Sequence, residues 1–173
     1  LVGMDHFALS DVLIVPPLTV AGAKMKLADG ERITFENILY GLLLVSGNDA
    51  AVTIAYNTAE GIDSFISEMN GKARMLNLTN TYFADPTGLS ADDYTTALDL
   101  ARLASFALRN ETLSTIVATK DTTVSDVSGA FVHKLENLNK LLGVVEGANG
   151  IKTGFTEQAG QVLVAAATRD GHT

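Results

Sequence analysis

Residues 34–55 read TFENILYGLLLVSGNDAAVTIA, a stretch that predicts two apolar helices joined by a short polar corner. Thr34 can cap the first helix, and Glu36 in its first turn suits the positive end of the helix dipole. The tripeptide Ser46-Gly47-Asn48 then interrupts the apolar pattern and predicts the junction with the next helix. Four apolar residues before it recur at helical spacing and predict a buried face: Ile38, Leu39, Leu42 and Val45.

Helical patterns continue on the C-terminal side of this corner. The second helix is expected from Asp49 to about Ala59. Gly61 ends it, and a third helix follows from Ile62 with Asp63 placed to cap it. After a turn at residues 85–88, Thr95 or Thr96 starts another helix that is expected to end at Asn110. Residues 34–118 are therefore predicted to be mainly helical.

The pattern changes after about Thr119 to one that is typical of strands. Residues 122–132 predict a hairpin around Ser128-Gly129, and two further strands are expected over Ile151–Thr156 and Gln161–Thr168. Residues 119–173 are therefore predicted to be mainly strand. Helices followed by antiparallel strands indicate an α+β fold in which a helical cluster packs on an antiparallel sheet.

The composition excludes several classes of protein. The chain has 173 residues, of which 47% are hydrophobic and 18% charged, so it can bury the core of one domain. A net charge of -8, from 12 Lys+Arg and 20 Asp+Glu, disfavours nucleic acid as a partner. The longest apolar run is far shorter than a membrane span.

Metal and phosphate sites are also disfavoured. The chain has no cysteine, and its three histidines are far apart in sequence, so no metal site and no cofactor are expected. His133 is expected to face solvent on a strand. The glycine-rich residues 143–153 do not predict a phosphate-binding loop, because Ile151 separates Gly150 from Lys152 and the chain continues as a strand.

Two tripeptides have both a structural and a chemical interpretation. Ser46-Gly47-Asn48 can be a simple turn, or its hydroxyl and amide can relay a proton and orient a neighbouring polar group. Lys152-Thr153-Gly154 can simply be part of a solvent-exposed edge strand. Alternatively, the charge of the lysine, the hydroxyl of the threonine and the space left by the glycine can together bind the carboxylate of a peptide. Each tripeptide alone is weak evidence for a function. The informative observation is that both occur in one chain, in this order and at this separation.

With their flanking residues, these tripeptides resemble the serine-type D-alanyl-D-alanine carboxypeptidases, the low-molecular-mass penicillin-binding proteins. The resemblance implies the transpeptidase fold shared with β-lactamases, and an acyl-transfer chemistry built on Ser-x-x-Lys, Ser-x-Asn and Lys-Thr-Gly. The blocks that carry the resemblance run in family order: Tyr40–Ala51, Phe83–Leu89 and Gly150–Thr156.

The resemblance also implies a role for each matching residue. Ser46 would belong to the proton-relay network, and Asn48 would bind the lysine of the first motif and the substrate peptide. Lys152 and Thr153 would hold the terminal carboxylate of D-Ala-D-Ala or of a penicillin, and Gly154 would leave room for the substrate. The implied partners are peptidoglycan stem peptides and β-lactams, outside the cytoplasm in the periplasm or at the cell surface. The implied role is in peptidoglycan biosynthesis and cell shape.

The first motif is missing. None of the nine serines is followed three residues later by lysine. We therefore expect residues 1–173 to form a partial domain that is truncated at both ends and inactive by itself, with the nucleophile upstream of Leu1. A β-lactamase-like hydrolase and a catalytically silent peptide-binding module of the same fold remain the alternatives, although Gly47 in the middle motif favours the carboxypeptidase over the Ser-Asp-Asn of β-lactamases.

Overall fold

From residue 35 onwards, the helices and strands follow the predicted order, with one additional helix. The computed structural model describes residues 1–17 and 19–173. Its elements are α1 (Val2–His6), β1 (Val12–Ile14), β2 (Arg32–Thr34), α2 (Phe35–Leu44), α3 (Asn48–Tyr56), α4 (Gly61–Met75), α5 (Ala97–Ala107), α6 (Glu111–Ala118), β3 (Asp121–Ser125), β4 (Val132–Glu136), β5 (Ala148–Thr156) and β6 (Gly160–Ala167).

Side-chain caps define three helix starts. The hydroxyl of Thr34 accepts from the backbone N–H of Asn37 at 3.3 Å, and Thr96 caps α5 in the same way. Asn110 does not end α5 as predicted, because its side chain caps α6, a helix that the apolar spacing did not reveal. Asp63 does not cap α4 either; it lies in the first turn, after a start at Gly61.

The strands form antiparallel ribbons. Within the described ranges there are three two-stranded sheets, β1–β2, β3–β4 and β5–β6. In the last of them Lys152 lies opposite Val164 and Thr153 opposite Leu163. Helix α6 packs against β5 so closely that a Cβ at Gly150 would lie 2.9 Å from Val117 Cγ2. This contact sets β5 against the helical part of the molecule.

The core is centred on α2. Two of the four residues of the predicted apolar face, Ile38 and Leu39, are buried, and the other two are only partly buried. Phe35, Ile38 and Leu44 are fully buried and pack with residues of β1, β2 and α3. No helix among the described residues has the length and apolarity needed to cross a bilayer.

His133 corrects the expectation of a solvent-facing side chain. It is only 7% exposed, because β4 alternates between outward and inward residues and turns His133 and Leu135 inwards. Its Nε2 lies 2.7 Å from Oε1 of Glu31, which is also buried, and its Nδ1 lies 3.1 Å from the carbonyl oxygen of Met25. The imidazole therefore ties β4 to the segment that precedes β2.

Candidate active site

The Ser-Gly-Asn corner lies where predicted, between α2 and α3. Ser46 has a left-handed backbone conformation with φ of 58°, and the N–H of Gly47 donates to the carbonyl of Gly41 at 3.1 Å. A Cβ at Gly47 would lie 3.0 Å from Oδ1 of Asp49 and 3.1 Å from the oxygen of Gly41. A side chain at position 47 would therefore crowd these atoms. An aspartate there would also bring a second carboxylate beside Asp49.

Asn48 is held by the backbone of a neighbouring segment. Its N–H donates to the carbonyl of Ala23, and its Nδ2 donates to the carbonyl of Ala21, both at 2.8 Å. Gly22 lies between these carbonyls with φ of 73°, and a Cβ there would come within 2.6 Å of Asn48 Nδ2. The amide oxygen of Asn48 accepts no hydrogen bond from residues 1–17 or 19–173, so it is available to another group.

Asp49 is a part of the corner that the sequence analysis did not single out. It is 3% exposed, and its carboxylate accepts four backbone hydrogen bonds. Oδ1 accepts from Met25 and Ala50, both at 3.0 Å, and Oδ2 accepts from Lys26 at 2.8 Å and Leu27 at 3.0 Å. From the sequence, an aspartate in a first helical turn indicates only a favourable interaction with the helix dipole.

The Lys-Thr-Gly residues lie on β5. Lys152 is partly buried, and its Nζ donates to the carbonyl of Thr153 at 2.8 Å. Burial lowers the pKa of Lys152 to about 8, because the charged ammonium is poorly solvated there. A Cβ at Gly154 would meet only Val162, at 3.9 Å, so the strand leaves open space at this point.

An apolar cavity of about 360 Å³ lies between the helices and β5. Lys152 lines it, together with Leu43 from α2 and Ala51 from α3, which lie three residues before Ser46 and three after Asn48. Ser46 and Asn48 themselves do not line this cavity, nor do Thr153 and Gly154. The helices next to the Ser-Gly-Asn corner and the strand that carries Lys-Thr-Gly therefore meet at one cavity. Among the described residues, no hydrogen bond joins the two motifs.

Over residues 1–17 and 19–173, no group of three or more histidine, aspartate or glutamate side chains could hold a metal ion.

Comparison with known proteins places this geometry in a family. The profile of the Peptidase S11 family, described as D-alanyl-D-alanine carboxypeptidase, matches residues 16–173. The chain belongs to this family. Among curated D-alanyl-D-alanine carboxypeptidases, the chain is 39% identical over 155 residues to the enzyme of Streptomyces sp. strain K15, covering 83% of this chain and 53% of that protein. It is 33% identical over 152 residues to DacF of Bacillus subtilis, covering 87% of this chain and 39% of that protein.

Solved structures agree with the family assignment. The Streptomyces K15 DD-transpeptidase superposes with a TM-score of 0.91 at 33% identity, over 98% of this chain and 72% of that one. The expected transpeptidase-like α+β fold is therefore confirmed. The chain spans about half, or less, of the length of the two curated carboxypeptidases.

Proposed function

We propose that the whole protein is a serine-type D-Ala-D-Ala carboxypeptidase. It would remove the terminal D-Ala of peptidoglycan stem peptides through an acyl-enzyme, and it would bind penicillin covalently. The observation that carries this proposal is the ammonium group of Lys152. It is partly buried beside a cavity and, among the described residues, bonds only to the carbonyl of Thr153.

A cation in this state favours an anionic ligand. A substrate carboxylate would restore the solvation that burial removes from the ammonium and would form a charge-assisted hydrogen bond with it. The hydroxyl of Thr153 can donate to the same carboxylate. The open space beside Gly154 lets the peptide backbone approach β5. Lys152, Thr153 and Gly154 would therefore form the wall of the cleft that binds the substrate carboxylate.

The Ser-Gly-Asn corner would form the opposite wall. Asn48 would offer its amide oxygen to the lysine of Ser-x-x-Lys and to the substrate peptide, while the hydroxyl of Ser46 would relay a proton to the leaving group. The rigid attachment of Asn48 to Ala21 and Ala23 supports this role, because a catalytic amide must be held in one orientation.

The nucleophile would come from a Ser-x-x-Lys motif outside these 173 residues. The apolar lining of the cavity supports this part of the proposal, since the cavity is open to solvent and an exposed apolar surface of this kind marks a site where another apolar element packs. Apolar side chains of a helix carrying the motif would cover this lining, and its serine and lysine would lie beside Asn48 and Lys152. The serine would attack the carbonyl of the penultimate D-Ala and expel D-Ala with a proton on its amine, and water would then cleave the ester.

The proposed substrate also indicates a location. Peptidoglycan stem peptides are found outside the cytoplasm, so we place the whole protein in the periplasm or at the cell surface. There it would trim the cell wall and influence cell shape.

The proposal is tested on the whole protein with a fluorescent penicillin and with a peptide that ends in D-Ala-D-Ala. We expect a covalent fluorescent band and release of D-Ala, and Ser46→Ala should slow both steps. Ser67→Ala is the matched control, because this serine lies exposed on α4 and donates only to Asp63. Residues 1–173 alone should give no band, and a stable adduct on them would show that the nucleophile is wrongly assigned.

The same assay separates the alternatives. A β-lactamase-like enzyme would turn the penicillin over rapidly instead of holding it, and a silent binding module would bind the peptide without forming a covalent band. A transpeptidase, as the Streptomyces K15 structure is named, would transfer the acyl group to an added amine in place of water.

A further inference from the structure

The carboxylate of Asp49 organises the backbone that holds Asn48. Three consecutive N–H groups, those of Met25, Lys26 and Leu27, point at this carboxylate, and Lys26 has a left-handed φ of 71°. Successive N–H groups around a left-handed residue form a concave site that binds anions. Here the anion is a side chain of the same protein, 22 to 24 residues away along the chain.

The bound segment is also the one that contacts Asn48. Ala21 and Ala23 accept from the side chain and the backbone of Asn48, and Gly22 lies against its Nδ2. The segment is therefore fixed at residues 25–27 by Asp49 and in turn fixes Asn48 through residues 21–23. Loss of the Asp49 carboxylate would release the segment, so that the side-chain amide of Asn48 would lose the carbonyl of Ala21 and its backbone N–H would lose the carbonyl of Ala23.

We propose that Asp49 is a positioning residue for the reaction, which sets the orientation of the Asn48 amide by binding the backbone of residues 25–27. This inference rests on the proposed acyl-transfer function. Each carboxylate oxygen of Asp49 already accepts two backbone N–H groups, so the side chain has no free lone pair for the substrate. It affects the reaction only through Asn48.

The test compares three variants of the whole protein. Asp49→Asn keeps the shape of the side chain but turns an NH₂ group towards two N–H donors. Gly22→Ala leaves Asp49 unchanged and pushes directly on Asn48 Nδ2, so it measures what a displaced Asn48 amide costs when the bonds of Asp49 are intact. Asp99→Asn is the matched control. Asp99 is 1% exposed in the first turn of α5 and accepts from Asn80 and Thr81, and none of its partners lies in residues 21–49.

The readouts are the rate of acylation by fluorescent penicillin and the kcat and KM for D-Ala release, all measured well below the unfolding temperature. We expect Asp49→Asn and Gly22→Ala to lower acylation and kcat by roughly 100-fold, as a displacement of about 1 Å can do. KM should change much less than kcat, because the wall on β5 that binds the substrate carboxylate is intact. Asp99→Asn should be destabilised but should acylate at the wild-type rate.

Two results would overturn the inference. One is acylation of Asp49→Asn at the rate of Asp99→Asn; the other is a KM that rises in proportion to the fall in kcat.

Hydrogen exchange on the whole protein separates this inference from the proposed function. If the whole wild-type protein neither binds penicillin nor releases D-Ala, the proposed function fails. Faster exchange of the Asn48 backbone N–H in Asp49→Asn than in Asp99→Asn would then still uphold the positioning, and equal exchange in the two variants would refute it.

Discussion

Substitution of Lys152 by methionine should stabilise residues 1–173 at neutral pH. Burial lowers the pKa of Lys152 from 10.5 to about 8, which corresponds to a penalty of at most about 3 kcal/mol for the charged form in the folded state. Methionine fills the same space without a charge and adds apolar surface to the cavity wall. Lys152→Met should therefore raise the free energy of unfolding at pH 7 by up to about 3 kcal/mol.

The sign of the pH dependence follows from the direction of the pKa shift. Below pH 8, Lys152 is charged in both the folded and the unfolded chain, so the cost of burying the charge fully reduces the free energy of unfolding. Between about pH 8 and 10.5 the folded chain releases the proton while the unfolded chain keeps it, so wild-type stability rises with pH. The advantage of Lys152→Met should therefore be largest below pH 8 and should vanish above about pH 10.5.

Urea denaturation followed by circular dichroism at pH 7, 8, 9 and 10 measures this difference directly. Other lysines and tyrosines titrate equally in both proteins and cancel in the comparison. Lys134→Met is the matched control, because Lys134 is exposed on β4. No stabilisation at pH 7, or a gain that does not change between pH 7 and 10, would refute the reasoning.

Three further predictions concern packing and the buried hydrogen bond between His133 and Glu31. Gly41→Ala should destabilise the fold by about 1–3 kcal/mol in urea denaturation, because its Cβ would lie 2.0 Å from Met25 Sδ. Gly71→Ala, which meets nothing nearer than 3.8 Å, should instead stabilise α4 by about 0.5–1 kcal/mol. His133→Leu should cost about 1–3 kcal/mol in the same assay, since it removes the hydrogen-bond partner of the buried Oε1 of Glu31. Adding Glu31→Gln to His133→Leu should recover part of that loss, and no recovery would show that the pair is not coupled.

Local patterns predicted much of the architecture. Thr34 and Thr96 cap helices because a hydroxyl at that position reaches N–H groups only three residues away. The hairpin of β5 and β6 also follows from a local apolar run and a turn. Such features depend on neighbours along the chain, so the sequence contains the information needed to predict them.

The two missed features have different causes. The exposure of His133 was predicted wrongly because its partners Glu31 and Met25 are 102 and 108 residues away. Asn110 was placed at the end of α5 although it caps α6, which has only eight residues and follows α5 closely. This second signal was local, since Asn110 accepts from the N–H of Leu113, and it was misinterpreted rather than absent.

The sequence by itself determined the order of helices and strands and the two motifs that carry the family resemblance, because spacing and turn residues act over a few positions. Only the tertiary structure decided that Asp49 binds the backbone of residues 25–27 and that Lys152 lines an apolar cavity. The physical reason is that the burial of a charge, and the donors that compensate for it, are set by segments that meet only after the chain has folded.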